Sequence, residues 1–200
     1  GWPSYDCKWC NINSTKWWKV RSGMSTIVAT NIQSDTIKHS GGTSAISITS
    51  AGVVTQPAKP MFRVKQSSDQ AISNATATVV QFNDKTSSGA FDIGGYFNTS
   101  NYRYIPQVAG YYFVSSTVTI KSTTPDYVII YITKNNSSVY RNLGMESNAT
   151  NAHVPAHVSG IIYMNGSSDY LDVQVQHNTG SSQNTNSTFS FTNFNGYLVG

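Results

Sequence analysis

From Met61 onward, apolar and polar residues alternate with a period of two, the spacing at which an extended strand sends successive side chains to opposite faces. Phe62 and Val64 begin the pattern, and Thr78, Val80 and Phe82 continue it on one face. Tyr102 and Tyr104 share a face before Pro106. After Gly110, Tyr112, Val114, Val118 and Ile120 point one way while Tyr111 and Phe113 point the other. Val128, Ile130 and Ile132 alternate with Tyr127, Ile129 and Tyr131, which predicts a strand buried on both faces. Val154, Ala156, Val158, Ile162 and Met164 form a further face, as do Leu171, Val173 and Val175, and finally Phe194, Gly196 and Leu198. Eight or nine such strands, separated by Asn, Gly, Ser and Thr turns and with no amphipathic helix between them, predict an all-β sandwich or jelly roll over 61–200.

Upstream the pattern thins. Residues 24–60 read as short strands around Ile27, Val28 and Ile32, then Thr36-Ile37, Ala45–Thr49 and Val53-Val54, with turns at Ser40-Gly41-Gly42-Thr43 and Ser50-Ala51-Gly52. Each carries too few apolar residues to bury a core, so three copies wound about one axis predict a thin β-rich stalk or neck; a linker is the alternative. Pro57 and Pro60 stiffen its junction with the head. Residues 1–23 differ again: they hold Trp2, Trp9, Trp17, Trp18 and both cysteines. They read either as a foreign leader ahead of Met24 or as a native peptide that anchors its tryptophans in a partner. Cys7 and Cys10 form a single pair with no neighbouring histidine, short of the four ligands a zinc site needs. A local disulfide or two free thiols is the expected state.

Composition narrows the class. Charged residues make up 11% of the chain, against roughly 25% in ordinary soluble domains, while aromatics reach 12%. That balance does not describe a disordered polyelectrolyte. No apolar run approaches the roughly 20 residues that span a bilayer. The formal charge is +4, but Lys8, Lys16, Lys19 and Arg21 against Asp6 place +3 of it in residues 1–23. The remainder is almost neutral, unlike the basic stripe of a nucleic-acid binder.

Several spacings resemble the C1q/tumour-necrosis-factor-like globular domain. Tyr96-Phe97-Asn98, then Tyr102-x-Tyr104-x-Pro106, then Ala109-Gly110-x-Tyr112-x-Val114 are similar to that family's central signature. Val114 stands where the family usually has an aromatic, with Phe113 displaced by one. Asp169-Tyr170-Leu171-Asp172-Val173-Gln174-Val175 and Phe194-x-Gly196-Tyr197-Leu198 resemble its last two strands. The resemblance implies a jelly-roll fold and a homotrimer. Tyr96, Tyr104, Tyr111, Tyr112, Phe113, Tyr127, Tyr131, Phe194 and Tyr197 are the expected core and trimer-interface aromatics. Tyr111, Phe113 and Tyr127 would leave an apolar patch on a monomer. Gly110 and Gly196 are expected where another ring or backbone comes close.

The fold serves many functions, so the rest of the chain must select among them. There is no Gly-x-y repeat of the collagen-bearing relatives. A short Ser/Thr/Gly-rich neck before a jelly-roll tip resembles bacteriophage fibre and appendage proteins. The expectation is a non-enzymatic trimeric virion surface protein that mediates host attachment, with its N-terminal region docked on the particle. A structural decoration without a receptor, or a secreted cytokine-like or lectin-like protein, is the alternative. No cofactor is expected. Catalytic motifs are missing: no Gly-x-Ser-x-Gly elbow, no His-Glu-x-x-His pair and no phosphate loop. A glycosidase would have to draw on scattered aspartates such as Asp84, Asp92, Asp126 and Asp169. His153 and His157 share a strand face but stand about 13 Å apart, too far for one metal within a chain. His177 reads as an ordinary strand-end histidine. Recognition of a glycan or protein receptor is therefore expected in polar loops over 84–89, 122–126, 145–151 and 180–187. Asp84, Lys85, Thr124, Asp126, Glu146, Asn148, Ser182, Gln183 and Asn184 are the candidate contacts, because such side chains suit hydroxyl-rich ligands.

Overall fold

The computed structural model of the chain describes residues 34–122, 127–144 and 153–199. Those from Asp35 onward belong to one compact unit. The four tryptophans, Cys7, Cys10, Thr124, Asp126, Glu146 and Asn148 lie outside the described residues. Over 36–55, β1 (Thr36–Lys38), β2 (Ser44–Ile48) and β3 (Val54–Thr55) form a three-stranded antiparallel meander. Gly42 and Gly52 turn its corners with φ of +88° and +78°, a conformation that side chains resist. Ile37, Ile48, Val53 and Val54 remain exposed, as expected of strands too short to enclose a core.

The head contains β4 (Met61–Lys65), β5 (Ala71–Ile72), β6 (Thr78–Val79), β7 (Phe91–Ile93), β8 (Phe97–Asn98), β9 (Arg103–Tyr104) and β10 (Gly110–Lys121). It continues with β11 (Val128–Lys134), β12 (Ser137–Gly144), β13 (His153–Met164), β14 (Leu171–His177), β15 (Gln183–Thr185) and β16 (Asn193–Leu198). Among the described residues the only helical turn is a 3-10 turn at Thr188–Ser190. The count exceeds eight or nine because short segments such as β5, β6, β8 and β9 pair over only one or two residues. One sheet runs β5-β15-β10-β16-β4-β7, with β13 on the free side of β10. The other runs β12-β11-β14-β9-β8, with β6 also on β14.

The alternation decides which residues meet between the sheets. Tyr112, Val114, Val118 and Ile120 of β10 and Val154, Ala156, Val158, Ile162 and Met164 of β13 are buried. So are Val128, Ile130 and Ile132 of β11 and Leu171, Val173 and Val175 of β14. Each such Val, Ile, Leu or Met side chain contributes roughly 1.5–3 kcal/mol on burial. Phe62 lies at the centre of the aromatic part, stacked on Tyr104 with centroids 4.0 Å apart and edge-on to Phe194 at 4.9 Å. Gly196 passes beneath it: a Cβ there would meet the Phe62 ring at 2.7 Å and the Phe113 carbonyl at 2.9 Å. Gly110 opens β10 with φ +154°. At one side β12 closes against β13, with the Tyr140 ring over Gly160 and its hydroxyl donating to the Ile161 carbonyl.

The structure departs from the expected double burial of β11. Ile129 and Tyr131 are only half-buried, since among the described residues no third layer covers the outer face of that sheet. The β11–β12 turn is a two-residue hairpin with Asn135 and Asn136 at φ +53° and +66°, the pairing a tight hairpin demands.

Candidate functional site

The outer face of the seven-stranded sheet is set by the residues opposite in parity to the core. Register places Tyr111 opposite Tyr163 and Phe113 between Ile161 and Tyr197, with Met61 beyond Tyr197. Tyr111 and Tyr163 meet edge-on at 5.4 Å, and Phe113 lies 5.4 Å from Tyr197. Tyr111 is 57% exposed, Ile161 54% and Tyr163 49%, a contiguous apolar surface of the kind soluble monomers rarely retain. This cluster occupies the end of the sheet where the chain enters at Met61.

Along the same strands toward the far end the surface becomes polar. Ser115 faces Ser159 and Asn195, Thr117 faces His157 and Asn193, and Lys121 faces His153. Both His153 and His157 are exposed, and His157 Nδ1 lies 3.1 Å from the Thr117 hydroxyl. Among the described residues no three His, Cys, Asp or Glu side chains gather as metal ligands.

The other expected aromatics are distributed differently. Tyr104, Tyr112 and Phe194 are fully buried core residues. Burial pushes the Tyr112 phenol up to about 12, with neighbouring Tyr96 adding to the effect, and its hydroxyl donates to the Val108 carbonyl at 2.9 Å. Burial raises the Tyr104 phenol further still, and its hydroxyl has no hydrogen-bond partner among the described residues. Tyr96 is partly buried against the core, edge-on to Tyr104. Tyr127 does not join the Tyr111 surface: with Tyr131 it flanks Gln176 of β14, on the opposite sheet. Parity predicts which side of a strand a residue takes, but not which of two sheets the strand joins.

At the end opposite Met61, β10 ends, β13 begins and β14 ends, so 180–187 emerges there; of the other expected loops, 123–126 and 145–151 lie outside the described residues. The described loop side chains are largely engaged within the protein. The Ser182 hydroxyl donates to the Ile72 carbonyl, and Gln183 donates to the Ser181 hydroxyl. In 84–89, Asp84 accepts from the Thr86 and Ser87 amides and the Ser87 hydroxyl; although burial alone would raise its carboxyl, these bonds hold it below the usual range. Lys85 binds Asp92 at 2.9 Å and the Phe97 carbonyl at 2.8 Å. Asp84 and Lys85 thus tie the loop down instead of projecting from it. Asp92 also accepts from the Tyr96 and Phe97 amides, and Asp169 binds Lys134 and Asn135. These aspartates are structural ties. His177 ends β14 as expected and is buried, with Nε2 donating to the Ile72 carbonyl at 3.0 Å and Nδ1 beside the Thr179 hydroxyl.

The most exposed aromatic of the described residues carries no signal in the sequence pattern. Phe189 is 87% exposed in the turn before β16, and Phe191 is 47% exposed, their centroids 6.1 Å apart and their planes at 69°. Thr188-Phe189-Ser190-Phe191-Thr192 alternates like a strand, which hides the turn. Ile161 and Tyr163 were legible as the odd positions of β13 once its even positions were assigned to the core.

This arrangement, two antiparallel sheets with an aromatic core and long β10 and β13 pairing along their whole length, is that of a jelly-roll domain. The chain has the C1q/tumour-necrosis-factor-like jelly-roll fold. It is similar to the globular domain of a zebrafish complement 1qA protein, with a TM-score of 0.51 at 17% identity, covering 71% of this chain and 98% of that one. It is also similar to murine APRIL in a crystal structure at pH 5.0, with a TM-score of 0.54 at 10% identity, covering 70% of this chain and 99% of that one. No family model matches the sequence, and no curated protein does.

Proposed function

We propose that the chain is a non-enzymatic, homotrimeric surface protein of a virion, a fibre or appendage whose N-terminal region docks on the particle and whose head attaches to host-surface glycans. The observation that carries this reading is the contiguous Tyr111–Tyr163–Ile161–Phe113–Tyr197 surface on the outer face of one sheet. Three copies packed by this face about one axis would cover it, and obligate interfaces of this kind bury on the order of 2,000–5,000 Å². The exposed Ile37, Ile48, Val53 and Val54 of the neck meander support the same stoichiometry, because a second and third copy would supply the missing core. The short Ser/Thr/Gly-rich β meander ahead of Met61 supports the appendage reading. Trimerisation also supports attachment, because three weak sites on one particle act together.

Light scattering on the full chain tests the assembly. The expected mass is three times the 21.8 kDa of one chain. A monomer at micromolar concentration would end the trimer reading, and a trimer that retains nothing on a glycan array would end the attachment reading.

A further inference from the structure

The turn between β15 and β16 is built to present an aromatic ring. Phe189 and Ser190 take φ of +49° and +60°, a left-handed conformation that costs a residue such as Phe on the order of 1–3 kcal/mol. The surrounding chain holds that strain in place. Asp69 accepts from the Ser187 amide and hydroxyl, and Asn186 accepts from the Thr188 amide. The Thr119 hydroxyl donates to the Phe191 carbonyl at 3.1 Å, and Asn193 donates to the Ser190 carbonyl at 2.9 Å. The backbone on both sides of Phe189 is thus anchored to β10 and to the 66–70 segment, while the ring itself stands in solvent. Packing does not explain its position.

What the ring is fitted for follows from its surroundings. Phe189 and Phe191 form an open corner, one ring nearly at right angles to the other. Lys121, the nearby cation, is paired with Asp69, so the corner offers no net charge to an anionic ligand. Among the described residues, the hydroxyls of Thr188 and Ser190 and the side-chain amide of Asn184 make no hydrogen bond. A membrane-inserting tip would surround its aromatics with large aliphatic and basic side chains. A neutral, hydroxyl-bearing ligand with one apolar face matches the combination of open ring and free donors and acceptors.

We infer that Phe189 and Phe191 form a carbohydrate-stacking site, in which the C–H face of a neutral pyranose lies on the Phe189 ring and its hydroxyls reach Thr188, Ser190 and Asn184. This deepens the proposed attachment function and rests on it. A rigid, preformed ring lowers the ordering cost of binding a small ligand, which suits weak sites repeated in an oligomer.

The test compares the full-chain wild type with Phe189→Ser and Phe191→Ser on one array of neutral and sialylated glycans. Thermal melting and light scattering run alongside, and exposure of the Phe189 ring predicts that both are unchanged for Phe189→Ser. The expected result is retention of neutral glycans by the wild type and a loss of roughly tenfold or more in Phe189→Ser, with a smaller loss in Phe191→Ser. Equal glycan binding by wild type and Phe189→Ser overturns this site while leaving the attachment function intact. No glycan bound by either overturns both. Phosphatidylcholine vesicles are the control surface: vesicle binding by the wild type that Phe189→Ser abolishes, without glycan binding, makes the corner a lipid contact and overturns the inference.

Discussion

The molecule exposes aromatic rings in two places and in two different ways. On the outer sheet face, Tyr111, Tyr163, Phe113 and Tyr197 lie on regular strands, in unstrained extended backbone, and touch one another across register. At the far tip, Phe189 and Phe191 stand on a turn with left-handed backbone, held by polar anchors and edged by free hydroxyls. The first arrangement is broad, flat and repeated by strand spacing, which suits another copy of the same surface. The second is narrow and strained, which suits a small ligand. Exposure alone does not distinguish the two; backbone conformation and the polarity of the neighbours do.

The largest effect is expected from charging the flat surface. The double substitution Tyr111→Arg with Tyr163→Arg places two cations where the proposed trimer is driest, and unpaired buried charge is costly. Both rings are about half exposed in the single chain, so each protomer should still fold. The expected outcome is dissociation to a 21.8 kDa species by light scattering with an unchanged β-type circular dichroism spectrum. A variant that remains trimeric moves the interface off this face. Phe189→Ser, by contrast, should leave the mass untouched.

Next in size is Gly196→Ala, which attacks the sheet surface from below. The added Cβ would meet the Phe62 ring at 2.7 Å and the Phe113 carbonyl at 2.9 Å, so β16 must shift away from β10. Overpacking of this kind costs typically 1–3 kcal/mol, and the displaced strand carries Tyr197 with it. Chemical denaturation should show the lost stability, and the trimer should dissociate at a higher protein concentration than it does in any tip variant.

These two variants rest on features of unequal legibility. The sheet surface was readable in large part, because period-two alternation assigns Tyr111 and Phe113 to the face opposite Tyr112 and Val114 without any structure. Tyr127 shows the limit: its parity is equally clear, but whether its strand joins one sheet or the other depends on long-range pairing that no local pattern encodes. The fold class and the resemblance to C1q-like domains came from the same alternation and from glycine and aromatic spacing. The tip site was not readable. Thr188–Thr192 alternates as a strand would, and only the bonds from Thr119, Asp69 and Asn193, far away in sequence, turn it into a left-handed corner. Asp84 and Lys85 failed in the opposite direction, since polar residues in a predicted loop were engaged by Ser87, Asp92 and the Phe97 carbonyl.

A smaller effect separates the two aromatic sites by pH. Burial alone would raise the Asp69 carboxyl, but the bonds from Lys121 and from Ser187 outweigh it and hold it at about 2, against an ordinary value of 3.8. A carboxyl depressed in the folded state stabilises it above the unfolded value and loses that contribution as pH falls through the folded one. The tip anchor should therefore weaken between about pH 4 and pH 2. Asp69→Asn should weaken glycan binding severalfold at neutral pH and flatten the acid dependence of melting in that window, with the trimer mass unchanged. Equal acid profiles for wild type and variant would remove Asp69 as the anchor.

The smallest difference lies in the core directly beneath the sheet surface, where two neighbouring tyrosines with centroids 5.8 Å apart have opposite hydrogen-bonding fates. Tyr112 donates to the Val108 carbonyl, so Tyr112→Phe removes a bond and leaves a carbonyl wanting, a loss of about 1 kcal/mol. The Tyr104 hydroxyl is buried without a partner, so Tyr104→Phe removes an unsatisfied polar atom while keeping the ring that stacks on Phe62, a gain of about 1 kcal/mol. Neither change reaches the outer face, so both variants should keep the wild-type trimer mass and glycan binding while their unfolding midpoints move in opposite directions. Midpoints that move together would mean that the two hydroxyls act as one bonded pair, and the contrast drawn between them would be lost.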